Sequence, residues 1–298
     1  MLKYFILYVS LMSMCVGIGL EIRTITKKTQ GEVLRGEISY IQGTDIKNGR
    51  EAWYDEEGHL LEQMHFINGR KEGREIKYSK EGEVIYDANY KNNKLQGLAL
   101  EYYPQNVLKS EIVYNEGKIE GKAKYYHQNG TLAKEVFYKN GVPEGDVVEY
   151  HDNGKIAQQY TYKQGKIEGI MRGFFPNGKL AQITNYVNGA KNGESKQYDE
   201  KGTLRTESHF KNDEKVDVER NYDANGMLDT ERVYVSSAPK QVKVSWFYPH
   251  NKIKIQMLYE NNQAVWQKVY NELGEITANL DCKVENCLSN LSGVTHKR

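Results

Sequence analysis

An aromatic side chain stands at every twelfth position over most of the chain. The sixteen members of this series are Tyr54, Phe66, Tyr78, Tyr90, Tyr102, Tyr114, Tyr126, Tyr138, Tyr150, Tyr162, Phe174, Tyr186, Tyr198, Phe210, Tyr222 and Tyr234. A fixed period is the signature of a repeat architecture, which has to be identified before any single motif is interpreted. The chain is therefore predicted to be an array of short units rather than a conventional globular domain.

Three further series keep a spacing of 24 residues, so each full repeat holds two aromatic residues. One glycine series begins at Gly49, a second begins at Gly58, and an aliphatic series begins at Leu60. None of these series is interrupted by an insertion. The spacing predicts eight 24-residue repeats over residues 46–235.

Each half of a repeat has the pattern of a β-strand that ends in a tight turn. The pairs Asn129-Gly130 and Asn140-Gly141 separate runs of tyrosine and β-branched residues, which is the strongest short-range signal for a β-hairpin. Turns about twelve residues apart leave no room for a long helix. The predicted fold is all-β, an elongated single-layer antiparallel meander of tandem β-hairpins.

The sequence leaves one question about this sheet open. Leu132 and Tyr138 are an even number of residues apart on one strand, so they share a face. Whether Tyr126 joins them depends on the turn between the strands, because a bulge shifts the register by one residue and moves side chains to the other face.

The repeat resembles the MORN (membrane occupation and recognition nexus) repeat variant of bacterial envelope proteins. The motif is Asn-Gly-Lys-x-x-Gly, then an aromatic residue and x-Asn-Gly-x-Leu. Clear matches are Glu116-Gly117-Lys118-Ile119-Glu120-Gly121, Gln164-Gly165-Lys166-Ile167-Glu168-Gly169 and Pro176-Asn177-Gly178-Lys179-Leu180. The resemblance implies an array of MORN-like β-hairpins that acts as a scaffold or binding surface. Some members carry an antitoxin-like label, and the family motif contains no catalytic residue.

The first residues have the pattern of a secretory signal peptide. Lys3 provides a basic start, Tyr4 to Val16 are apolar, and Gly17 and Gly19 are small residues at a cleavage site before Leu20. Residues 1–19 are therefore predicted to direct the chain to a secreted or periplasmic location. A membrane-anchored protein is the alternative, either as a lipoprotein at Cys15 or through an uncleaved anchor. Residues 20–45 are predicted to form an N-terminal cap.

The repeat degenerates after residue 235. The segment that begins at Phe247 echoes the one that begins at Phe174 with a shift of one residue, and Tyr270 returns to the original register. Residues 236–281 are therefore interpreted as two degenerate repeats.

Two cysteines remain once Cys15 is removed with the signal peptide, namely Cys282 and Cys287. In a secreted protein, two close cysteines predict a disulfide, and the lack of paired histidines nearby argues against a metal site. Residues 282–298 are predicted to be a cysteine-closed cap and tail, with residues 288–298 disordered.

Composition restricts the partners. The net charge is +1, from 41 basic and 40 acidic side chains, so the chain has neither the basic surface expected for nucleic acid nor a strong attraction to anionic lipid. The mean hydropathy of −0.75 suits a thin, largely solvated sheet. No nucleic-acid partner and no cofactor are expected.

Departures from the repeat consensus suggest a partner-binding surface. Five apolar side chains occupy related positions in neighbouring repeats, where other repeats have polar residues, and clustered exposed apolar residues often mark interfaces. The candidate residues are Val113, Tyr125, Phe137, Val147 and Met171. The alternative interpretation is a scatter of unrelated surface residues.

Other candidate sites have simpler explanations. Glu72, Glu120, Glu144 and Glu168 recur at one turn position, but one carboxylate per repeat does not supply the roughly six to eight converging oxygens that Ca²⁺ prefers. No catalytic motif occurs, so catalytic and metal-binding residues are not expected. The aromatic series could be a stacking platform or simply internal packing of the sheet.

Two functions from different classes follow, and neither is enzymatic. The first is a secreted or periplasmic scaffold that binds a protein partner through its extended β surface. The second is a cell-envelope protein that binds glycan or lipid in an aromatic groove. An antitoxin-like neutralising protein is a further alternative, and a homo-oligomer is compatible with either function.

Overall fold

The computed structural model describes residues 6–7, 19–29, 32–237, 240–283 and 287. Most of the predicted signal peptide, including Cys15, lies outside the described residues. The chain divides into two units, residues 1–154 and 155–298, which are described separately. No helix in the described ranges has the length and apolar character needed to cross a membrane.

The first unit is built from strands joined by short turns. They are β1 (Ile6–Leu7), β2 (Leu20–Thr29), β3 (Glu32–Ile41), β4 (Lys47–Tyr54), β5 (Leu60–Ile67), β6 (Arg70–Lys71), β7 (Gly73–Tyr78), β8 (Val84–Lys91), β9 (Lys94–Tyr103), β10 (Val107–Asn115), β11 (Lys118–Ile119), β12 (Gly121–Tyr126), β13 (Leu132–Lys139) and β14 (Val142–Tyr150). A 3-10 turn at Pro104–Asn106 connects β9 to β10.

The second unit has the same construction. Its strands are β15 (Ile156–Lys163), β16 (Lys166–Phe174), β17 (Leu180–Val187), β18 (Ala190–Tyr198), β19 (Leu204–Lys211), β20 (Glu214–Tyr222), β21 (Leu228–Ser237), β22 (Lys240–Tyr248), β23 (Lys252–Glu260), β24 (Gln263–Tyr270) and β25 (Ile276–Asp281). A 3-10 turn at Pro249–Asn251 connects β22 to β23.

Within each unit, successive strands pair antiparallel along the chain, as β12 does with β13 and β16 with β17. Short neighbours such as β6 and β7 lie end to end against the same strand, β5. The predicted all-β antiparallel meander of tandem hairpins is therefore confirmed.

Two kinds of turn alternate along this meander. In the first, two successive residues have positive φ, as at Asn140 (53°) and Gly141 (82°). That is the type I′ turn, whose twist matches the flanking strands and which favours Asn-Gly. In the second, one glycine has positive φ, as at Gly130 (80°), and its amide donates to the His127 carbonyl at 2.9 Å. The turn chemistry of the sequence thus explains both connections.

The second kind of turn carries the bulge that the sequence left open. Tyr125 lies opposite Lys134 and Tyr126 lies opposite Leu132, so Ala133 has no partner of its own. Side chains alternate along β12, which places Tyr125 and Tyr126 on opposite faces of the sheet.

The two faces differ in what they carry. We call face A the side of the sheet that carries Ala123, Val136 and Tyr138, and face B the side that carries Lys122 and Phe137, together with the residues of other repeats in line with them. Ala123 and Val136 lie directly opposite each other and are buried. A single sheet buries such residues because they are short and stand at the strand centres, where longer side chains from both ends cover them.

Candidate interaction surface

Face A has a central row in which one residue of every repeat is covered. At 24-residue intervals the row contains Glu51, Glu75, Ala99, Ala123 and Val147 in the first unit and Met171, Ser195 and Glu219 in the second. All are buried except Met171, which is half-buried. Because this row is covered by the protein's own side chains, it does not offer an open groove.

Carboxylates in this row are neutralised by a lysine four residues earlier. The Lys71 Nζ lies 2.7 Å from Glu75, and Lys215 Nζ lies 2.5 Å from Glu219. Lys47 pairs with Glu51 in the same way. Where the row holds Ala99, Ala123 or Val147, the position four residues earlier is Leu95, Ile119 or Pro143. The row therefore has paired charges in some repeats and an apolar core in others.

Glu75 shows how such a buried charge is held. Burial by itself would raise the pKa of the Glu75 carboxyl, but hydrogen bonds from Lys71 and Tyr90 hold the pKa below its ordinary value of 4.5. Burial also raises the pKa of the Tyr90 hydroxyl, with hydrogen bonds to Tyr86 and Glu75 acting in the same direction. Glu75 is thus an ionised carboxylate inside a closed network, which suits a structural role.

The aromatic series divides between the two faces. On face A, Tyr138 lies opposite Gly121, and Tyr186 lies opposite Gly169, so the ring has room over a residue without a side chain. On face B, Tyr54 donates a hydrogen bond to Glu37 at 3.4 Å, and Tyr222 donates one to Glu207 at 3.3 Å. The twelve-residue series is therefore two ladders on opposite faces.

Lysine side chains cover several of the face A rings. Lys71 Nζ lies 4.9 Å from the ring centre of Tyr90, and Lys191 Nζ lies 5.2 Å from that of Phe210. Cation–π contacts of this kind occupy the ring face that a sugar would need for stacking. Because lysines cover these rings, the face A aromatic residues give little support to a groove that binds glycan or lipid.

Face B carries an exposed apolar patch in the first unit. Its residues are Leu98, Val113, Phe137 and Val142, with side chains 41%, 39%, 45% and 43% exposed. Leu98 and Val113 lie directly opposite each other on β9 and β10. Phe137 follows on β13, and Val142 begins β14. We call these four residues the face B patch.

Lys122, the charged residue opposite Phe137, is directed away from the face B patch. Lys122 on β12 stands opposite Phe137, and its Nζ lies 2.7 Å from Glu135. This ion pair holds the lysine over β13 and leaves Phe137 and Val113 uncovered. Large apolar side chains that remain exposed on one face are typical of an interaction surface.

Several other repeats place polar side chains at the positions equivalent to Leu98 and Val113. Arg74 lies opposite Asn89 and Glu194 lies opposite His209, although Val218 lies opposite Val233. The sheet therefore does not require apolar residues here for its own folding. The patch is an exposed apolar cluster on β9, β10, β13 and β14.

The structure does not bring the five sequence-predicted residues together. Val113 and Phe137 lie on face B, but Tyr125 lies on face A opposite Lys134. Val147 is 1% exposed in the central row of face A, and Met171 holds the equivalent repeat position in the second unit, opposite Thr184. The twelve-residue spacing that grouped them alternates between faces, so only Val113 and Phe137 stay in the candidate surface.

Sequence reasoning missed Leu98 and Val142. A signal for Leu98 was its place across the hairpin from Val113, because hairpin strands pair residue by residue away from the turn. The two residues flank the Pro104–Asn106 turn, but the unpaired Lys109 shifts their register by one residue. Val142 takes the place of Lys118 and Lys166 at its repeat position, which is a loss of charge at that turn.

The recurrent turn carboxylates connect one repeat to the next. Glu72, Glu120 and Glu168 each accept a hydrogen bond from the backbone amide twenty residues later, at Asn92, Asn140 and Asn188, with distances of 2.9, 2.7 and 2.8 Å. The next amide of the same turn donates to a backbone carbonyl of the preceding repeat, as Gly141 does to Ile119 at 2.8 Å. These carboxylates are hydrogen-bond acceptors for the turns and do not converge on a cation.

One group of potential metal ligands also has a structural explanation. Asp55, Glu57 and His59 place one ligand atom each within 4.8 Å of one another. Asp55 accepts hydrogen bonds from the backbone and the ring of His59, at 2.8 and 2.9 Å. Burial would raise the pKa of Asp55, but these bonds lower it. Asp199 holds the same turn in another repeat by accepting from Thr203, so the cluster is a turn motif.

Cys282 and Cys287, which were expected to pair, are joined by a disulfide with their Cα atoms 5.2 Å apart. Cys287 is buried against Ile255 and Met257. The bond therefore lies over the β22–β24 part of the sheet.

The MORN repeat variant family matches eight segments of the chain, and these cover more than half of its 298 residues. The matched segments are 47–68, 71–92, 95–116, 119–140, 143–164, 167–188, 191–212 and 240–261. The chain belongs to this family. No curated protein matches it.

The MORN variant repeats place the face B patch in the array. Leu98 and Val113 belong to the matched segment 95–116, and Phe137 belongs to the next one, 119–140. Seven matched segments lie within residues 46–235, and the eighth lies where degenerate repeats were expected. The protein is thus a repeat array in which two neighbouring repeats expose a distinct surface.

Proposed function

We propose that this MORN variant protein is a non-enzymatic, secreted or periplasmic scaffold that binds a protein partner through the face B patch. The observation that carries the proposal is the exposure of four apolar side chains on one face, at positions that are polar in several other repeats. A flat apolar surface framed by paired charges suits the core of a protein interface. Face A supports the choice of side because its own side chains cover its central row.

The proposed location draws on two independent features. Residues 1–19 have the sequence pattern of a signal peptide. The Cys282–Cys287 disulfide is of the kind that persists in oxidising compartments. Cell fractionation together with N-terminal sequencing of the native protein tests this part. A full-length chain in the cytosolic fraction would contradict it.

The partner proposal is tested by comparing variants in a capture experiment. The protein is purified from the envelope fraction as wild type, Phe137→Glu, Val113→Glu and Asn89→Glu. Asn89 occupies the Val113 position of an earlier repeat, is exposed on face B, and serves as the matched control. We expect one protein to be captured in near-stoichiometric amount by wild type and Asn89→Glu, and to be lost by at least tenfold with the two patch variants.

Circular dichroism of all four proteins shows whether folding is preserved. Equal capture by all four proteins would contradict the patch as the binding surface. If glycan or lipid is enriched instead, and binding survives Phe137→Glu, the cell-envelope ligand function replaces the proposal. The antitoxin-like function rests on the family label alone. A second copy of the chain is tested by sedimentation, where a dimer lost with Phe137→Glu would identify the partner as the protein itself.

A further inference from the structure

The two sides of strand β2 differ in how far they are paired. All ten of its residues, Leu20–Thr29, pair with β3 without a bulge. On its other side, the described ranges of the chain place only β1, which pairs with Thr24 and Ile25. The unpaired side of an edge strand presents amides and carbonyls that another extended chain can use. The outer edge of β2 can therefore accept a further antiparallel strand.

This edge loses its neighbour when residues 1–19 are removed. β1 (Ile6–Leu7) belongs to the segment that has the pattern of a signal peptide. Cleavage before Leu20 is part of the proposed function, and the inference below rests on it. Cleavage takes β1 away from the centre of β2, at Thr24 and Ile25. The mature chain then has a ten-residue edge that lacks this partner strand.

The face A side of β2 carries opposite charges towards its two ends. Arg23 stands opposite Ile38, which in turn stands opposite Glu51 of the central row, so Arg23 is on face A. Glu21 and Lys27 are an even number of residues from Arg23 and share this face. The strand thus has a carboxylate near its start and an ammonium near its end.

Both charged groups are positioned by neighbours and can still bind another chain. The two contacts between Glu21 and Arg23 use the same carboxylate oxygen, Oε1. The Lys27 Nζ lies 3.9 Å from the ring centre of Trp53. Trp53 reaches it across Gly36, where an added Cβ would lie 2.8 Å from the ring. An ammonium has three donors, so one ring contact leaves Lys27 able to donate to a carboxylate.

We propose that the mature chain forms a dimer in which β2 pairs antiparallel with β2 of a second copy, centred on Thr24. Two identical antiparallel strands in one sheet are related by a two-fold axis, so the same patch serves both copies. Thr24 then lies opposite Thr24, and residues equally far from it on either side lie opposite each other. Glu21 of each copy therefore lies opposite Lys27 of the other, which gives two complementary charge pairs.

The charges select this register over its neighbour. A centre at Ile25 would place Arg23 opposite Lys27 of the second copy, and like charges directly opposite each other are destabilising. On face B, the Thr24 centre places Ile22, which is 51% exposed, opposite the small side chain of Thr26. Because β1 pairs at this same centre, the uncleaved chain covers its own dimer edge, and removal of residues 1–19 permits assembly.

A cysteine at the proposed centre tests the register. Thr24→Cys places two cysteines opposite each other, with Cα atoms about 4.5–5.5 Å apart, which permits a disulfide. Thr26→Cys lies on the same strand and face but opposite Ile22 of the second copy, and it is the matched control. On non-reducing gels after mild oxidation, we expect mature Thr24→Cys to be a covalent dimer and mature Thr26→Cys to be a monomer. Equal cross-linking of the two variants would overturn the register.

Sedimentation equilibrium of the mature protein tests the charge pairs. We expect Glu21→Lys and Lys27→Glu each to raise the dimer Kd by about tenfold or more, because like charges then face each other. The two changes together reverse both partners and should restore the dimer. Lys28→Glu, which lies opposite Leu20 on face B, is the charge control and should dimerise like wild type. A failure of the double variant to recover would overturn the proposed pairing.

The outcomes are separable from those for the face B patch. The β2 dimer should survive Phe137→Glu, and capture of another protein by the patch should survive Glu21→Lys. A native chain that keeps residues 1–19 would contradict the proposed location and this inference together. A mature wild type that begins at Leu20 and stays monomeric at its highest soluble concentration would overturn this inference alone.

Discussion

The repeats around Glu75 and those around Ala123 have the same backbone but bury different chemistry at the same position. Glu75 is 2% exposed and is neutralised by Lys71 four residues earlier. Ala123 is fully buried, with Ile119 at the lysine position and Val136 opposite. The two positions change together, from lysine with glutamate to isoleucine with alanine. The comparison shows that a repeat accommodates either an ion pair or an apolar pair at these positions, provided that a carboxylate in the row has its lysine partner.

The physical reason is that the side chains of the central row are covered whether they are charged or apolar. A buried carboxylate needs a nearby cation, because its desolvation is costly without one. A lysine beside a buried alanine would have no carboxylate partner in the row. The following variants break the matched pairs in order of decreasing expected effect.

Placing a carboxylate in the apolar repeat should give the largest loss. Ala123→Glu buries a charge next to Ile119, which cannot neutralise it, and we expect unfolding free energy to fall by about 4 kcal/mol. The measurement is denaturant unfolding monitored by circular dichroism. Adding Ile119→Lys recreates the Lys71–Glu75 arrangement and should recover at least half of the loss. A double variant no more stable than Ala123→Glu would show that the pair does not act as a unit.

Removing the carboxylate from the charged repeat should cost less, because Lys71 is partly exposed and can reach water. We expect Glu75→Ala to lower the unfolding free energy by about 2 kcal/mol. Lys71→Leu combined with Glu75→Ala copies the Leu95 and Ala99 pair and should come within about 1 kcal/mol of wild type. The same denaturation experiment measures both variants. Additive losses in the double variant would argue against the matching rule.

Acid is expected to destabilise the Glu75 repeats more than the Ala123 repeats. The folded-state pKa of Glu75 lies below 4.5, so its contribution is present above the unfolded-state pKa and is lost as pH falls through the folded-state pKa. Burial and a hydrogen bond to Glu75 raise the pKa of Glu62. Glu62 therefore makes the opposite contribution to the pH dependence of stability. A Glu62→Gln background removes that contribution. In that background, we expect stability to fall more steeply as the pH drops below 4.5 than it does when Lys71→Leu and Glu75→Ala are added.

Stability at each pH is measured by urea unfolding of the two proteins. Parallel curves would mean that Glu75 contributes nothing that depends on its charge. Since the Ala123 region has no carboxylate in its central row, its amides should show no corresponding acid sensitivity in hydrogen exchange.

The smallest expected effect concerns Gln267, which places an uncharged polar side chain in the central row. Gln267 occupies the row nine periods after Glu51, is wholly buried, and neither atom of its side-chain amide has a hydrogen-bond partner. We expect Gln267→Met to raise the unfolding free energy by about 1 kcal/mol, because it removes unpaired polar atoms at similar volume. Differential scanning calorimetry measures the change. A lower melting temperature would show that Gln267 has a role which its described contacts do not reveal.

The strands and turns could be predicted from the sequence because the period fixes them. Asn140-Gly141 marks a hairpin whatever surrounds it, and the aromatic series sets the strand spacing. The family resemblance agreed with this reading and is confirmed by the eight matched segments. The MORN variant fold was therefore accessible before any coordinates.

The faces could not be predicted, because they depend on one unpaired residue in a turn. Ala133 shifts the register so that Tyr125 and Phe137, twelve residues apart, lie on opposite faces. Residues 24 apart keep their face, which is why Val147 and Met171 follow Ala123 into the central row. The candidate surface therefore lost Tyr125, Val147 and Met171 and gained Leu98 and Val142. Whether this surface binds a partner stays a prediction.

The hydrogen bonds between turns also bear on how such a gene can change in length. Several repeats carry an acceptor for the following turn, such as Glu120 for Asn140, and donate their own turn amides backwards. Unequal crossing-over that inserts or deletes one whole 24-residue unit among them leaves these donors and acceptors matched. Natural selection can thus vary the number of such repeats without redesigning their junctions.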